Sequence, residues 1–203
     1  MQPEQIGQAY DQITHLWQAD SFDRRNGIAQ HQRALAFSGN RGTALDVGCG
    51  CTGRVIDLLL DAGFTAEGVD ISAKMIALAR QRQPQLTFHQ QDICKWGIDT
   101  KYDFISAWDS IWHVPLTQQA AVLRKLIACL NPGGVLIFSF GGTVEPDEHR
   151  NNAMGPELHY STLGVNGIIE LVLSSGASVK HLEFDQHPEL HAYCIIQQLN
   201  TTE

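Results

Sequence analysis

The stretch from Ala44 to Gly53 constrains the fold of this chain more than any other. It reads A-L-D-V-G-C-G-C-T-G and spaces Gly48, Gly50 and Gly53 as G-x-G-x-x-G, after an apolar run and before a helical pattern. Glycine permits tight turns and a close approach of a ligand to the backbone, and the free N–H groups of a helix start add hydrogen-bond donors. The stretch predicts a nucleotide-binding strand–turn–helix, a motif that more than one cofactor class uses.

Strand-like and helix-like segments alternate after this turn. Strands are predicted over 43–47, 65–71, 86–89, 102–108 and 135–140, with helices over 54–62, 72–83 and 117–130 between them. This alternation predicts a parallel sheet with right-handed crossovers. A helix over 168–173 and two strands over 177–184 and 192–199, close enough for a hairpin, complete the pattern.

The chain is predicted to form one domain over 1–203, with a helical segment over 1–40. An apolar stripe recurs along its first helix, and Asp20-Ser21 is predicted to cap its second helix. Tyr10 and Trp17 on this stripe are either core residues or part of a lid over a cofactor. Residues 141–160 lack periodicity and are predicted to form a loop on the substrate side.

Composition excludes several functions. A net charge of −8 argues against a nucleic-acid or membrane partner, since both require a basic surface. An odd count of five cysteines and a polar start without a secretory signal predict free thiols in a reducing cytoplasm. Neither the C-x-C pair Cys49 and Cys51 nor the histidine spacing matches a metal-ligand pattern, so no metal is predicted.

Acidic residues mark four successive strand ends. Asp46 precedes the glycine turn, and Asp70, Asp92 and Asp109 close or follow the next three strands. Ligands of open α/β sheets bind at this edge. A dinucleotide site explains Asp70, which lies 17 residues after Gly53, near the expected spacing of about 20 for a ribose-binding acid. It explains neither Asp46 nor Asp92.

The motifs taken in order resemble the class I S-adenosylmethionine-dependent methyltransferases, and a small single-domain member in particular. The matching stretches span about 43–140 and are L-D-V-G-C-G-C-T-G, G-V-D-I-S (68–72), Q-D-I (91–93), Y-D-F-I-S-A-W (102–108) and L-N-P-G-G (130–134). The resemblance implies an α/β, doubly wound, Rossmann-like sheet of seven strands, mostly parallel with an antiparallel last strand. It also implies S-adenosylmethionine as the cofactor.

The resemblance also assigns site residues. Gly48, Cys49 and Gly50 would line the methionine half, with Asp46 near its ammonium group. Asp70 would bind the ribose hydroxyls, and Ile71 would lie on the adenine. The remaining positions implied at the adenine and the methyl group are Asp92, Ile93, Trp108 and Asp109.

The predicted activity is methyl transfer to an O, N or S atom of a small molecule. Candidates for direct chemistry are His113, Asp109, His159 and Tyr160, while His149, His187 and His191 are predicted to be surface or loop-anchoring residues. The alternatives are an NAD(P)-dependent oxidoreductase and a domain that binds S-adenosylmethionine without catalysis. Methylation of protein or RNA is a weaker alternative.

Overall fold

The computed structural model describes residues 1–199 as six helices and nine strands. The helices are α1 (Pro3–Gln18), α2 (Ile28–Leu35), α3 (Arg54–Asp61), α4 (Ala73–Arg82), α5 (Leu116–Ala128) and α6 (Gly164–Ser174). The strands are β1 (Thr43–Val47), β2 (Thr65–Asp70), β3 (Phe88–Gln90), β4 (Tyr102–Ala107), β5 (Leu130–Gly141), β6 (Asp147–Asn151), β7 (Leu158–Thr162), β8 (Ala177–Glu183) and β9 (His191–Gln198). None of these helices is both long and apolar enough to cross a bilayer.

Seven strands form one sheet in the order β3-β2-β1-β4-β5-β9-β8. The first five are parallel, and β9 pairs antiparallel with both β5 and β8. This confirms the predicted doubly wound fold with an antiparallel last strand. The carboxyl ends of β1 to β5 therefore lie along one edge, and the antiparallel direction of β9 brings its first residue, His191, opposite Gly141 at that same edge.

Apolar side chains cover both faces of the sheet. One core cluster contains Leu126 of α5 and Ile168 of α6, and the other contains Ile56 of α3 and Ile76 of α4. The central strands are apolar on both faces, as Ile105 and its neighbours in β4 are fully buried. Two helical layers thus cover the sheet and leave its carboxyl edge open for a ligand.

Helix α2 starts later than predicted. The expected cap at Asp20-Ser21 is wrong, because α2 begins at Ile28 with Gly27 as its N-cap in a left-handed conformation. Residues 19–27 instead form turns, in which Phe22 and Asn26 reach the open edge of the sheet. The predicted cap of α4 is confirmed, since the hydroxyl oxygen of Ser72 accepts a hydrogen bond from the Met75 amide at 3.1 Å.

The predicted loop over 141–160 is also wrong in part. It contains β6, which pairs antiparallel with β7 in a separate two-stranded sheet. All five residues of β6 are polar and exposed, so the strand has no apolar alternation to reveal it. The hairpin packs on α1 through Leu158, which is buried with Ile6 and Ala9.

Candidate functional site

A cleft of about 320 Å³ opens at the carboxyl edge of the sheet, where β1, β2 and β4 end. Every residue that the sequence predicted to bind the cofactor lines it. These residues are Tyr10, Trp17, Asp46, Gly48, Cys49, Gly50, Asp70, Ile71, Asp92, Ile93, Trp108 and Asp109. They come from α1 and from four strand ends, so the parallel topology is what brings them together.

The glycine turn is shaped by its glycines and supported by Asp70. Gly48 and Gly50 have φ angles of 73° and 56°, and a Cβ on Gly48 would lie 2.2 Å from the Cβ of Ser110. The two carboxylate oxygens of Asp70 accept hydrogen bonds from the amides of Gly50 at 2.9 Å and Ser72 at 2.8 Å. Asp70 therefore fixes the turn as well as lining the cleft.

Two buried acids, Asp46 and Asp70, line the cleft. Asp46 is 5% exposed, and burial raises its pKa to about 7. Burial also raises the pKa of Asp70, although hydrogen bonds from backbone amides oppose the effect. A cation bound beside Asp46 would remove part of this desolvation cost, because opposite charges favour the ionised carboxyl group.

One carboxylate oxygen of Asp92 accepts no hydrogen bond from the described residues. Its Oδ1 accepts a hydrogen bond from the Cys94 amide at 2.9 Å, while its buried Oδ2 accepts none from the described residues and lies 3.5 Å from Nζ of Lys95. Buried carboxylate oxygens are normally paired. Asp92 lines the cleft together with Ile71 and Ile93, so a carboxylate and two apolar side chains are available to an amino-bearing ring, and the chain's residues fit the adenine end of S-adenosylmethionine.

Helix α1 lies across the cleft. Its Asp11 accepts hydrogen bonds from the Ser72 hydroxyl at 2.6 Å and the Lys74 amide at 2.9 Å, which fastens α1 to the start of α4. Ile6 and Ile13 are buried, whereas Tyr10 and Trp17 are half-buried and line the cleft. The aromatic pair therefore faces the ligand space, not only the core.

His113 is a neutral residue in the wall of the cleft. It lies in the 3-10 turn Ile111–His113, where its Nδ1 donates to the carbonyl oxygen of His159 at 2.7 Å. Its Nε2 accepts from the hydroxyl of Tyr10 at 2.7 Å and from Nε1 of Trp112 at 3.1 Å. Burial lowers the pKa of His113 to about 4, so the imidazole is uncharged at neutral pH.

Aromatic rings surround His113 on the side that the sequence assigned to the substrate. Tyr160 of β7 lines the cleft with its ring centroid 4.8 Å from that of His113 and 6.1 Å from that of Trp112. Met154, in the turn between β6 and β7, also lines it. The His159 side chain, by contrast, lines a separate surface depression with Glu148, so the structure does not bring it to the cleft.

Asp109 connects several elements at the end of β4. It is the only non-glycine residue with a positive φ angle, 51°, among the described residues. Its amide donates to the hydroxyl oxygen of Ser139 at 2.7 Å, and its Oδ2 accepts from Nδ2 of Asn26 at 3.0 Å. Arg54 lies 3.8 Å from the same oxygen and stacks on Phe22.

Sequence reasoning missed several of these residues. His191 was predicted to be a surface or loop-anchoring residue. The surface alternative is wrong, because His191 is 7% exposed with Nε2 3.2 Å from Oδ1 of Asp109, whereas its bond to Asp185 agrees with anchoring of the loop between β8 and β9. The signal that could have located it is its position as the first residue of an antiparallel strand, which places it at the carboxyl edge. Phe22, Asn26 and Arg54, which line the cleft itself, belong to no sequence motif.

The thiols beside the glycine turn are not reactive groups. All five cysteines are free, and burial raises the pKa of Cys49 well above its usual value, so the thiolate is disfavoured. Among residues 1–199, no group of three or more histidine, cysteine or acidic side chains is arranged to hold a metal ion.

Comparison with known proteins gives the same fold and cofactor. A family described as "Methyltransferase domain" matches residues 19–167. A trans-aconitate 2-methyltransferase of Variovorax paradoxus is 30% identical over 89% of this chain and 75% of its own length. A dTDP-3-amino-3,6-dideoxy-alpha-D-glucopyranose N,N-dimethyltransferase of Streptomyces fradiae is 34% identical over 66% of this chain, which spans about half (52%) of that relative.

Solved structures share the fold at lower identity. The magnesium protoporphyrin IX methyltransferase of Synechocystis PCC 6803 with bound S-adenosylhomocysteine has a TM-score of 0.71 at 22% identity, over 97% of this chain and 100% of that one. A structure of the same enzyme holds S-adenosylmethionine. The glycine turn, the acids at the strand ends and the match over 19–167 have one common explanation: this chain belongs to the class I S-adenosylmethionine-dependent methyltransferases.

Proposed function

We propose that this methyltransferase acts on a small molecule that carries an amine. S-adenosylmethionine supplies the methyl group from its sulfonium. The chain's residues would hold it in the order of the strands, with Asp46 near the ammonium group, Asp70 at the ribose and Asp92 at the adenine amino group. The acceptor would lie against Trp112, Tyr160 and Met154, where the cleft is rich in aromatic and apolar surface.

The excess of acidic over basic side chains in the cleft is the observation that favours an amine as the acceptor. Of the described residues that line it, Arg54 alone bears a full positive charge, and Arg54 already lies 3.8 Å from Asp109. An acceptor with several carboxylates, such as trans-aconitate, would leave them without partners in a cleft that also contains four aspartates. An amine, as in the sugar substrate named for the Streptomyces relative, meets acids and aromatic faces instead.

The proposed mechanism depends on orientation. Methyl transfer from a sulfonium requires the nucleophile to be held in line and water to be excluded. We propose that Tyr10, fixed by its hydrogen bond to His113, orients the acceptor nitrogen. A pKa of about 4 makes His113 too weak a base to take a proton from an alkylammonium, so the bound ammonium would lose its proton to water before the nitrogen attacks the methyl group. Asp109 and Tyr160 would border the reacting atoms, and no role is proposed for His159.

The test is transfer of a labelled methyl group into a metabolite extract. We expect a small labelled product that a cation exchanger retains at neutral pH, and no turnover of trans-aconitate. The variant Gly48→Val should abolish labelling, because its side chain would clash with Ser110, whereas Gly97→Ala, whose Cβ meets nothing within 4 Å, should label normally. Label on an anionic product would overturn the amine, and label on protein or RNA would overturn the small acceptor.

A further inference from the structure

We propose that His191 is a positioning residue for methyl transfer, fixed as an imidazolium between the carboxylates of Asp185 and Asp109. The proposal concerns a residue behind the cleft, and its link to turnover rests on the function proposed above. It is supported by the contacts of both ring nitrogens, the burial of the His191 and Asp185 side chains and the backbone of Asp109.

Both nitrogens of His191 face a carboxylate. Nδ1 lies 2.5 Å from Oδ1 of Asp185, and Nε2 lies 3.2 Å from Oδ1 of Asp109. A neutral imidazole has one N–H and can donate to one of these acceptors only, whereas the imidazolium donates to both. The side chains of His191 and Asp185 are 7% and 5% exposed, so solvent does not replace a missing donor.

The surroundings of the ring favour this charge state. Burial by itself lowers the pKa of His191, but the hydrogen bonds and charges of Asp109 and Asp185 outweigh it and raise the pKa above its usual value. The other charged group nearby is Arg54, which faces Asp109 and not the imidazole. Trp108 and Trp112 pack against the ring, with centroids 5.4 and 5.6 Å away, and fix its plane.

The carboxylate that His191 holds is the one that borders the cleft. Asp109 keeps a left-handed backbone, which disfavours a non-glycine residue and persists only where neighbours hold it. His191 and the Ser139 hydroxyl both bond its Oδ1, leaving Oδ2 toward Asn26 and the cleft. Asp185 does not line the cleft, so its influence on the reaction passes through the residues it bonds, His191 and Gln30.

Asp185→Asn tests whether the carboxylates of Asp185 and Asp109 hold His191 as an imidazolium, and it does not alter the residues that line the cleft. In the protein loaded with S-adenosylhomocysteine, we expect NMR titration to give a His191 pKa above 6.5 in the wild type and a lower one in the variant. The matched control is Gln30→Ala, which removes the other hydrogen bond of Asp185, 2.6 Å long, but keeps its charge. This control should leave the titration unchanged.

Turnover of the amine acceptor that the labelling experiment identifies supplies the second readout. At pH 8 we expect kcat of Asp185→Asn to fall about tenfold, the scale on which misplaced groups act, with the affinity for S-adenosylmethionine within twofold of the wild type. Because the imidazolium is the active form, activity should recover as the pH falls through the lowered pKa, which a purely structural defect would not do.

Two outcomes would overturn the proposal. One is a wild-type His191 that titrates at or below 6.5, and the other is a variant whose kcat follows the wild-type pH profile. If no amine acceptor exists, the NMR titration still tests whether His191 is protonated between Asp185 and Asp109. Failure of this proposal can therefore be distinguished from failure of the proposed function.

Discussion

The hydroxyl of Tyr10 donates a hydrogen bond to Nε2 of His113 across 2.7 Å, joining two residues 103 positions apart in the chain. The bond ties α1, which lies over the cleft, to the wall of the cleft below it. The Tyr10 ring also packs against Trp17, with centroids 5.2 Å apart. Helix α1 and the wall of the cleft are therefore joined directly through Tyr10.

Removal of the Trp17 ring tests whether α1 acts as a lid. We expect Trp17→Ala to weaken S-adenosylmethionine binding about fivefold, since a cation–π contact at a partly exposed site contributes about 1 kcal/mol. Leu16→Ala is the matched control, because Leu16 is the neighbouring residue on α1, is 37% exposed and does not line the cleft. Isothermal titration calorimetry measures both. Equal affinities for Trp17→Ala and the wild type would leave core packing as the role of Trp17.

Asp46 should make cofactor binding depend on pH. With a pKa of about 7 in the free protein, its carboxyl group must lose its proton when an ammonium group binds beside it. Binding of S-adenosylhomocysteine should thus release protons and tighten about tenfold from pH 6 to pH 8. Calorimetry in buffers of different ionisation enthalpy measures the release. Asp46→Asn should bind with a flat profile over this range, and a steep profile in that variant would assign the effect to another group.

Loss of Asp70 should weaken the cofactor site through two contacts. Asp70→Ala removes the proposed ribose ligand and the acceptor for the Gly50 amide, so we expect at least a tenfold loss of S-adenosylmethionine affinity. Glu67→Gln neutralises a carboxylate on the same strand that bonds His89 and does not line the cleft, and should bind normally. A loss of less than twofold by calorimetry, in a variant that still melts cooperatively, would contradict the ribose assignment.

His31 should contribute a pH-dependent part of the stability. It is fully buried, and burial lowers its pKa to about 4, below the value of about 6.5 in the unfolded chain. The unfolded state therefore binds the extra proton as the pH falls from 6.5 toward 4, and this contribution is lost on acidification. Between pH 7.5 and 5, urea unfolding of His31→Gln should show a decrease in unfolding free energy smaller than that of the wild type by about 2 kcal/mol. Equal decreases would show that His31 does not titrate in this way.

The sequence predicted the sheet and a set of residues that line the cleft because these depend on local features. A turn with the φ angles of Gly48 and Gly50 requires glycine, and Asp70 and Asp92 lie directly at strand ends. Once alternation establishes a parallel sheet, all of these residues must meet at one edge.

The hairpin β6–β7 and the start of α2 escaped prediction for a different reason. The residues of β6 are exposed and polar, so no burial pattern reveals the strand, and the pairing of His149 with Tyr160 forms it instead. Gly27 replaced Asp20-Ser21 as the cap because residues 19–27 are held by contacts to the cleft, such as that of Asn26 with Asp109. The capping propensity of Asp20 and Ser21 is therefore overridden by contacts between residues that are distant in the sequence.

The sequence by itself determined the parallel sheet, the glycine turn and the acids that follow its strands, because each depends on a short stretch of chain. Only the tertiary structure decided which side chains line the cleft or support its wall. His191 lies 82 residues from Asp109, and the two meet because β9 runs antiparallel beside β5. Such a contact depends on the order and direction of the strands in the sheet. Neither property can be read from the residue types or spacing of a single segment.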